Sequence, residues 1–198
     1  MSTPTLHMDT SSSGIRSFHH AEFTLDRLLG AKGSTSVSVC LPARNEAATV
    51  GSIVATLRRD LLERGVIDEI VVVDDHSTDD TAAVAARAGA RVTDAAEVLS
   101  DFGGGHGKGE VLWKSLHVTH GDLVLWCDSD ISEFGPHFVT GLLGPLLCEP
   151  GVDFAKGYYR RPERDGEGGG RVTELVARPL LSLYFPELAG VHQPLSGE

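Results

Sequence analysis

The stretch Leu123-Val124-Leu125-Trp126-Cys127-Asp128-Ser129-Asp130 gives the strongest indication of how this chain folds. Its apolar first part predicts a buried strand, and two carboxylates follow directly, two residues apart. Carboxylate oxygens suit Mg²⁺ or Mn²⁺, and a cation held there can offset the charge of a diphosphate. A solvated acidic turn has the same sequence, so the neighbouring segments must decide between these interpretations.

Length and charge limit the class of protein. The chain has 198 residues, 17 Lys+Arg and 28 Asp+Glu, which gives a formal charge of −11. This length suits one domain with a sizeable core. The acidic balance disfavours binding to nucleic acid or anionic membranes, and no apolar stretch is long enough to span a bilayer. We therefore expect a protein that acts on small molecules.

The cysteines and the N-terminus indicate the cellular compartment. Cys40, Cys127 and Cys148 are odd in number, and the first two lie in apolar runs, which predicts buried free thiols in a reducing cytoplasm. Residues 1–17 are rich in Ser and Thr and lack a signal-peptide core. We expect residues 1–35 to be a disordered or short helical lead-in, and residues 36–198 to form the domain.

Strand and helix signals alternate from residue 36 onward. Strands are predicted at 36–41, 69–73, 90–93, 122–127 and 152–158. Helices are predicted from Asn45 to about Arg64, from residues 77–79 to Gly89, and at 110–118, 136–147 and 171–184. The alternation predicts an α/β fold with a mainly parallel central sheet and helices on both faces.

Three polar segments follow strands of this sheet: Pro42-Ala43-Arg44-Asn45-Glu46, residues 74–80, and the Asp128 triplet. Ligands of parallel sheets bind at the carboxyl ends of the strands. A carboxylate such as Asp75 can accept hydrogen bonds from ribose hydroxyls or base N–H groups. The alternative is that these segments only end strands and cap helices.

Two glycine-rich segments could hold anions. Residues 103–109 carry Lys108, a positive charge in an acidic chain, on a backbone that can approach a ligand closely. Residues 168–174 open a predicted helix with Arg171, as anion sites often do. Residues 103–109 match neither a P-loop nor a dinucleotide fingerprint. Each of the two segments could equally be a flexible loop or an ordinary capped helix.

These segments, in this order, resemble the glucosyl-3-phosphoglycerate synthases, which are glycosyltransferases of the GT-A fold. The resemblance covers roughly residues 20–198. It is carried by Pro42–Glu46, Gly107–Glu110, Asp128–Asp130, Tyr159–Pro162, Gly168–Pro179 and Gln193–Glu198. It implies a GT-A type nucleotide-sugar-binding fold.

The resemblance also implies an activity: retaining transfer of glucose from UDP-glucose to the 2-hydroxyl of D-3-phosphoglycerate, with Mg²⁺ or Mn²⁺. It assigns nucleotide-sugar contacts to Pro42, Ala43, Arg44, Asn45, Glu46, Asp75, Lys108, Asp128 and Ser129. It makes Asp130 the metal ligand, with a catalytic role, and places the backbone around Leu195 near the anomeric centre. The acceptor contacts fall to Gly170, Arg171, Val172 and Thr173. The resemblance also suggests a homodimer.

The chain departs from the family pattern in four places, one of which is the loop Arg164–Gly170, which is shorter than expected. Arg44 stands where a Leu is expected, and Asp75 where a small Ser is expected. Family members continue well beyond Glu198, where an Arg and a His complete the site. We therefore expect the N-terminal portion of a longer enzyme, with the C-terminal part of the fold missing.

Two other functions stay open. One is another GT-A transferase with a polyprenyl-phosphate or polysaccharide acceptor, which would share the first strand and the Asp128 triplet. The other is a catalytically incomplete fragment that only binds UDP. A sugar-nucleotide pyrophosphorylase is disfavoured, because no glycine-rich signature follows the first strand.

Overall fold

The computed structural model describes residues 15–105, 107–158 and 173–191. Two compact units divide the chain: a larger one that contains Phe18–Gly157 and a smaller one that contains Tyr158–Ser196. The disorder expected at the N-terminus falls mostly on residues 1–14, outside the described residues. The larger unit holds the sheet and all the sequence segments from Pro42 to Asp130.

The larger unit is built on four parallel strands. They are β1 (Val37–Ala43), β2 (Glu69–Asp74), β3 (Arg91–Asp94) and β4 (Leu123–Trp126), in the order β3-β2-β1-β4. β1 is central and almost entirely buried, and so is β2, because both faces of these strands are apolar. The predicted parallel sheet is confirmed.

Helices cover both faces of the sheet. The larger core lies between one face and helices α1 (Leu25–Lys32), α2 (Val50–Leu57), α3 (Thr81–Ala88) and α5 (His137–Cys148). The smaller core, around Cys40, Val71, Val73 and Ala95, lies under α4 (Lys108–Ser115). Side chains alternate across each strand, so β1 contributes Val39 and Leu41 to the first core and Cys40 to the second.

The free thiols are confirmed: Cys40 and Cys127 are buried, and Cys148 is partly buried. Burial is the largest influence on the Cys40 thiol and raises its pKa to about 12. This thiol therefore stays protonated and behaves as a small apolar side chain.

The predicted helix that begins at Asn45 starts later. Asn45 has φ 59°, in the left-handed region, and α2 begins at Val50. The helix then widens into a π-helical turn at Arg58–Leu62, and Gly65 follows it with φ 73°. A left-handed residue cannot continue a right-handed helix, so the segment before Thr49 remains a loop.

The fifth strand, predicted at 152–158, is wrong. These residues form no regular secondary structure, and Phe154 is exposed. A strand needs hydrogen-bonded partners along an edge, and within the described residues β4 pairs only with β1. The composition of residues 152–158 was therefore not sufficient to form a fifth strand.

Residues 173–188 of the smaller unit are mostly helical. A π-helical turn at Thr173–Ala177 leads into α6 (Arg178–Tyr184), and a single 3₁₀ turn follows at Pro186–Leu188. Pro179 lies in the first turn of α6, where a missing N–H costs no helical hydrogen bond. None of the described helices is long and apolar enough to cross a bilayer.

A polar network joins the amino ends of the strands. Glu69 accepts hydrogen bonds from Ser38 Oγ at 2.5 Å, from the His120 backbone N–H at 2.5 Å and from Arg91 Nη2 at 2.9 Å. Burial by itself would raise the pKa of Glu69. The hydrogen bonds outweigh burial and lower that pKa from 4.5 to about 2.

Replacing Glu69 with Gln is expected to destabilise the larger unit at neutral pH and much less in acid. The folded pKa lies below the unfolded value, so the ionised carboxylate stabilises the fold above pH 4.5 and this contribution disappears as the pH falls towards 2. We expect a loss of about 2 kcal/mol near pH 6 that shrinks by about pH 3, measured by urea unfolding. The exposed Glu97 supplies a matched Gln control. A Glu69→Gln penalty that is constant with pH would contradict this account.

Candidate active site

A cleft of about 370 Å³ opens at the carboxyl ends of β1 and β4. The sheet order reverses here, because β2 and β3 lie on one side of β1 and β4 lies on the other. This volume is within the usual range for a small-molecule site. The cleft is lined by Pro42, Ala43, Arg44, Glu46, Asp75, Gly107, Lys108, Val111, Asp128, Ser129 and Asp130.

The floor of the cleft is fixed by hydrogen bonds between neighbouring strand ends. Ser129 is buried, and its Oγ donates to the Pro42 carbonyl at 2.6 Å. The Asp75 backbone N–H donates to the Ala43 carbonyl at 2.8 Å. The carbonyl of Ser129 in turn accepts from Thr49 Oγ1 at 2.6 Å. These bonds hold the loops after β1, β2 and β4 against one another.

Asp75 is a buried carboxylate in the wall of the cleft, only 5% exposed. It accepts from the Gly107 backbone N–H at 3.1 Å, contacts His76 Nδ1 at 2.9 Å, and lies 4.0 Å from Arg44 Nη1. Burial opposes its ionisation, but these hydrogen bonds and the nearby positive charges hold the pKa of Asp75 below its usual range. Asp75 is therefore ionised at neutral pH. Arg44 and Asp75, two of the departures from the family pattern, thus form an ion pair with each other.

Lys108 brings a positive charge to the cleft. It is the first residue of α4, and its Nζ pairs with Asp128 Oδ1. Gly107, the residue before the helix, has φ 98°, which only glycine adopts easily. That conformation places the Gly107 N–H against Asp75 and Lys108 against Asp128. The loop after β3 is thus tied to the strand ends on both sides of β1.

Glu46 and Asp130 bring negative charge to the cleft. Burial has the largest effect on the pKa of Glu46 and raises it, and electrostatic repulsion from Asp130 raises it further. Asp130 is exposed. No group of three or more His, Cys, Asp or Glu side chains that could hold a metal occurs among residues 15–105, 107–158 and 173–191. An exposed carboxylate fits Mg²⁺ or Mn²⁺ when substrate phosphates complete the coordination.

The cleft brings together eight of the nine predicted nucleotide-sugar residues, together with Asp130. Asn45 is the exception: its Oδ1 accepts from the Thr78 N–H at 2.7 Å and holds the loops after β1 and β2 together. Gly170, Arg171, Val172 and Leu195 lie outside the described residues. Thr173 begins the π-helical turn of the smaller unit. The roles of all these residues stay predictions.

Val111 and Thr49 were missed from the sequence, and Gly107 was predicted only as part of the glycine-rich segment, without a contact of its own. Gly107 and Val111 line the cleft, and Thr49 supports Ser129 from outside it. Val111 lies three residues after Lys108 on a helix, so helical spacing alone could have found it. Nothing in the local sequence around Thr49 indicates a contact with a residue 80 positions away.

Solved structures share this architecture. A mannosyl-3-phosphoglycerate synthase from Rubrobacter xylanophilus is 50% identical, with a TM-score of 0.85 over 92% of this chain and 58% of that one. The Mycobacterium tuberculosis glucosyl-3-phosphoglycerate synthase, in complex with Mn²⁺, UDP and glucosyl-3-phosphoglycerate, is 45% identical. Its TM-score is 0.81, over 92% of this chain and 62% of that one. The fold is therefore of the GT-A type, in which nucleotide-sugars bind.

The sequence comparison gives the family. The profile of Glycosyl transferase family 2 matches residues 38–182, and the chain belongs to this family. The glucosyl-3-phosphoglycerate synthase of Mycolicibacterium smegmatis is 49% identical over 187 residues, which are 92% of this chain and 61% of that enzyme. The chain thus spans about three fifths of the length of this relative.

Proposed function

We propose that this protein is a retaining glycosyltransferase that moves glucose from UDP-glucose to the 2-hydroxyl of D-3-phosphoglycerate. The observation that carries the proposal is the cleft at the switch point of the sheet, where Lys108, Asp128 and Asp130 meet the buried carboxylate of Asp75. The relatives of 44–49% identity that bear this activity in their names support the choice of acceptor.

The donor nucleotide is assigned to the walls of the cleft. The ionised Asp75 can accept hydrogen bonds from the N–H or hydroxyl groups of a nucleoside. Lys108 can exchange its partner Asp128 for a phosphate oxygen, which leaves the Asp128 carboxylate for a ribose hydroxyl. Pro42, Ala43 and Ser129 form an uncharged floor of the cleft, against which a planar base can lie.

Asp130 is the residue that would hold Mg²⁺ or Mn²⁺, with Asp128 and Glu46 adding to the negative field. When bound, the cation supplies positive charge that stabilises the departing nucleoside diphosphate. In a front-face transfer, the same phosphate would accept the proton of the acceptor hydroxyl. We assign no covalent nucleophile to this chain.

The acceptor is assigned to Gly170, Arg171, Val172 and Thr173, where a helix start and a guanidinium suit a phosphate and a carboxylate. The backbone near Leu195 would face the anomeric carbon. Arg171 is the only cation in that segment, so the acceptor charge is expected to depend on it. A cytoplasmic location, which rests on the free cysteines, and a homodimeric assembly, which rests on the resemblance, complete the proposal.

The test is UDP release by the purified chain with UDP-glucose, 3-phosphoglycerate and Mg²⁺ or Mn²⁺, with acceptor-free and EDTA controls. Release that needs both acceptor and metal supports the proposal. Release with a polyprenyl phosphate in place of 3-phosphoglycerate would favour the other GT-A transferase. UDP binding without any release would indicate a chain that binds the nucleotide but does not catalyse transfer.

Transfer of mannose is the second candidate, because the Rubrobacter relative is a mannosyl-3-phosphoglycerate synthase. The same assay with GDP-mannose, with GDP release as the readout, separates the two donors. A preference for GDP-mannose would move the donor assignment to mannose and leave the acceptor unchanged.

Replacing Lys108 with Met is expected to lower the affinity for UDP about tenfold, because the cleft loses one of its two cationic side chains, Arg44 and Lys108, in a chain of net charge −11. The penalty should shrink at high salt, since the Lys108 side chain is 43% exposed. Calorimetric titration with UDP and Mn²⁺ measures it. Lys32→Met, which removes a cation that pairs with Asp68 instead, is the matched control. Equal affinities in the two variants would contradict the assignment of Lys108.

A further inference from the structure

Lys114 is a buried cation that the proposed chemistry does not use. Its side chain is 1% exposed, and it lies on the inner face of α4 beside Val111 and Ser115. Burying an ammonium group is unfavourable unless its hydrogen bonds are met. An apolar residue would fill the same space without that cost, so the partners of Lys114 need an explanation.

The ammonium group joins two loops. Lys114 Nζ donates to the Ala95 carbonyl at 2.8 Å and lies 3.2 Å from Glu110 Oε1. Ala95 directly follows β3, and its own N–H donates to the Asp74 carbonyl at 2.9 Å. One contact of Lys114 therefore reaches the end of β2, one residue before Asp75.

The other contact reaches the glycine loop, which we define as residues 103–105 and 107. Glu110 Oε1 also accepts from the Gly105 backbone N–H at 3.2 Å. The approach is so close that a Cβ on Gly105 would lie 2.5 Å from Glu110 Cδ. Lys114 thus neutralises and orients the carboxylate that holds the loop. Two residues further along, the Gly107 N–H binds Asp75.

We propose that Lys114 is a positioning residue of the nucleotide cleft. Through Glu110 it fixes the glycine loop, and through Ala95 it fixes the loop after β3. Together these contacts set the Gly107 N–H against Asp75 and place Lys108 at the cleft wall. Lys114 does not touch the ligand itself. The proposal rests on the proposed function only for the identity of the ligand, a nucleoside diphosphate.

The decisive measurement is hydrogen exchange of the ligand-free chain, followed by mass spectrometry, for Lys114→Met. Met keeps the length of the side chain and removes its charge. We expect exchange in the peptide that covers residues 103–110 to rise about tenfold, with peptides from β1 and β2 unchanged, because only the local opening becomes easier. An equal rise in all peptides would mean general destabilisation and would overturn the proposal. So would a glycine loop that already exchanges freely in the unaltered chain.

Two further variants keep the test decisive if Lys114→Met does not fold. Glu110→Gln removes the charge at a partly exposed position and should also speed exchange of residues 103–110. Lys32→Met, the same substitution at another Lys–carboxylate pair, should leave the loop unchanged. A glycine loop unchanged in Glu110→Gln would refute the role of this chain of contacts.

UDP binding gives a second readout. Lys114→Met should weaken UDP binding about tenfold, and Lys108→Met should then cost less than it does alone, because a misplaced Lys108 contributes less. Additive effects would contradict positioning. If the unaltered chain binds no UDP, the proposed function has failed, whereas loop exchange still decides the role of Lys114.

Discussion

Asp130→Asn is expected to abolish the dependence of UDP binding on Mn²⁺ and, with it, transfer. The substitution keeps the shape of the side chain and removes the charge that suits a hard cation. We expect the gain in UDP affinity that Mn²⁺ provides to fall by about 100-fold or more, since even a residue that only supports a metal ligand contributes 10–100-fold. Titrations with UDP at several Mn²⁺ concentrations measure the effect.

Glu133→Gln is the control for Asp130→Asn. Glu133 is exposed on the same loop, three residues further along, and it is not among the residues that line the cleft. This control should keep the dependence of the unaltered chain on Mn²⁺. Because Asp130 also raises the pKa of Glu46, Asp130→Asn should let Glu46 ionise at lower pH. Retention of Mn²⁺ dependence in Asp130→Asn would remove Asp130 as the metal ligand.

Gly144→Ala is expected to have the largest effect on stability. Gly144 lies on the buried face of α5, and a Cβ there would lie 2.1 Å from Phe23 Cγ. Rotating the ring about its Cβ–Cγ bond leaves Cγ in place, so only a change of χ1 or a shift of the backbone can relieve this contact. Phe23 is also held in an edge-to-face contact with Phe18 and under the Arg27 guanidinium. We expect a loss of about 3 kcal/mol, and a fall in Tm of roughly 6–12 °C.

Gly30→Ala is the control for Gly144→Ala. Gly30 lies inside α1, and a Cβ there would meet no atom within 4 Å. Alanine is the better helix former, so this control should stabilise the protein by about 0.5–1 kcal/mol. Thermal unfolding followed by circular dichroism measures both variants. A Gly144→Ala protein as stable as Gly30→Ala would show that Phe23 can repack.

The sheet was predictable because its strands are short apolar runs that end in polar residues. Leu125 and Val71 are buried as their runs require, and Asp128 and Asp75 follow their strands into one cleft. Parallel strands bring their carboxyl ends to one edge, so residues that follow different strands become neighbours whatever their distance along the chain. The gathering of most cleft residues follows from that rule.

Other features depend on tertiary contacts that local sequence does not encode. Asn45 is a residue type that often caps helices, but its side-chain oxygen accepts a hydrogen bond from Thr78 in another loop. Lys114 fits the pattern of a solvent-facing helical lysine, and only the position of Ala95 shows why it is buried. Residues 152–158 have the composition of a strand, but they pair with none of the described strands. In each case a partner far away in sequence decides the conformation.

The close packing of Phe23 against Gly144 limits where an N-terminal expression boundary can be placed. Phe23 and Leu28 belong to the same core as the central strand, and they precede it in the sequence. An expression boundary placed at the first strand would delete both side chains and leave the inner face of α5 open to water. Trimming should therefore stop before Phe18, and purification tags at the N-terminus need a spacer ahead of it.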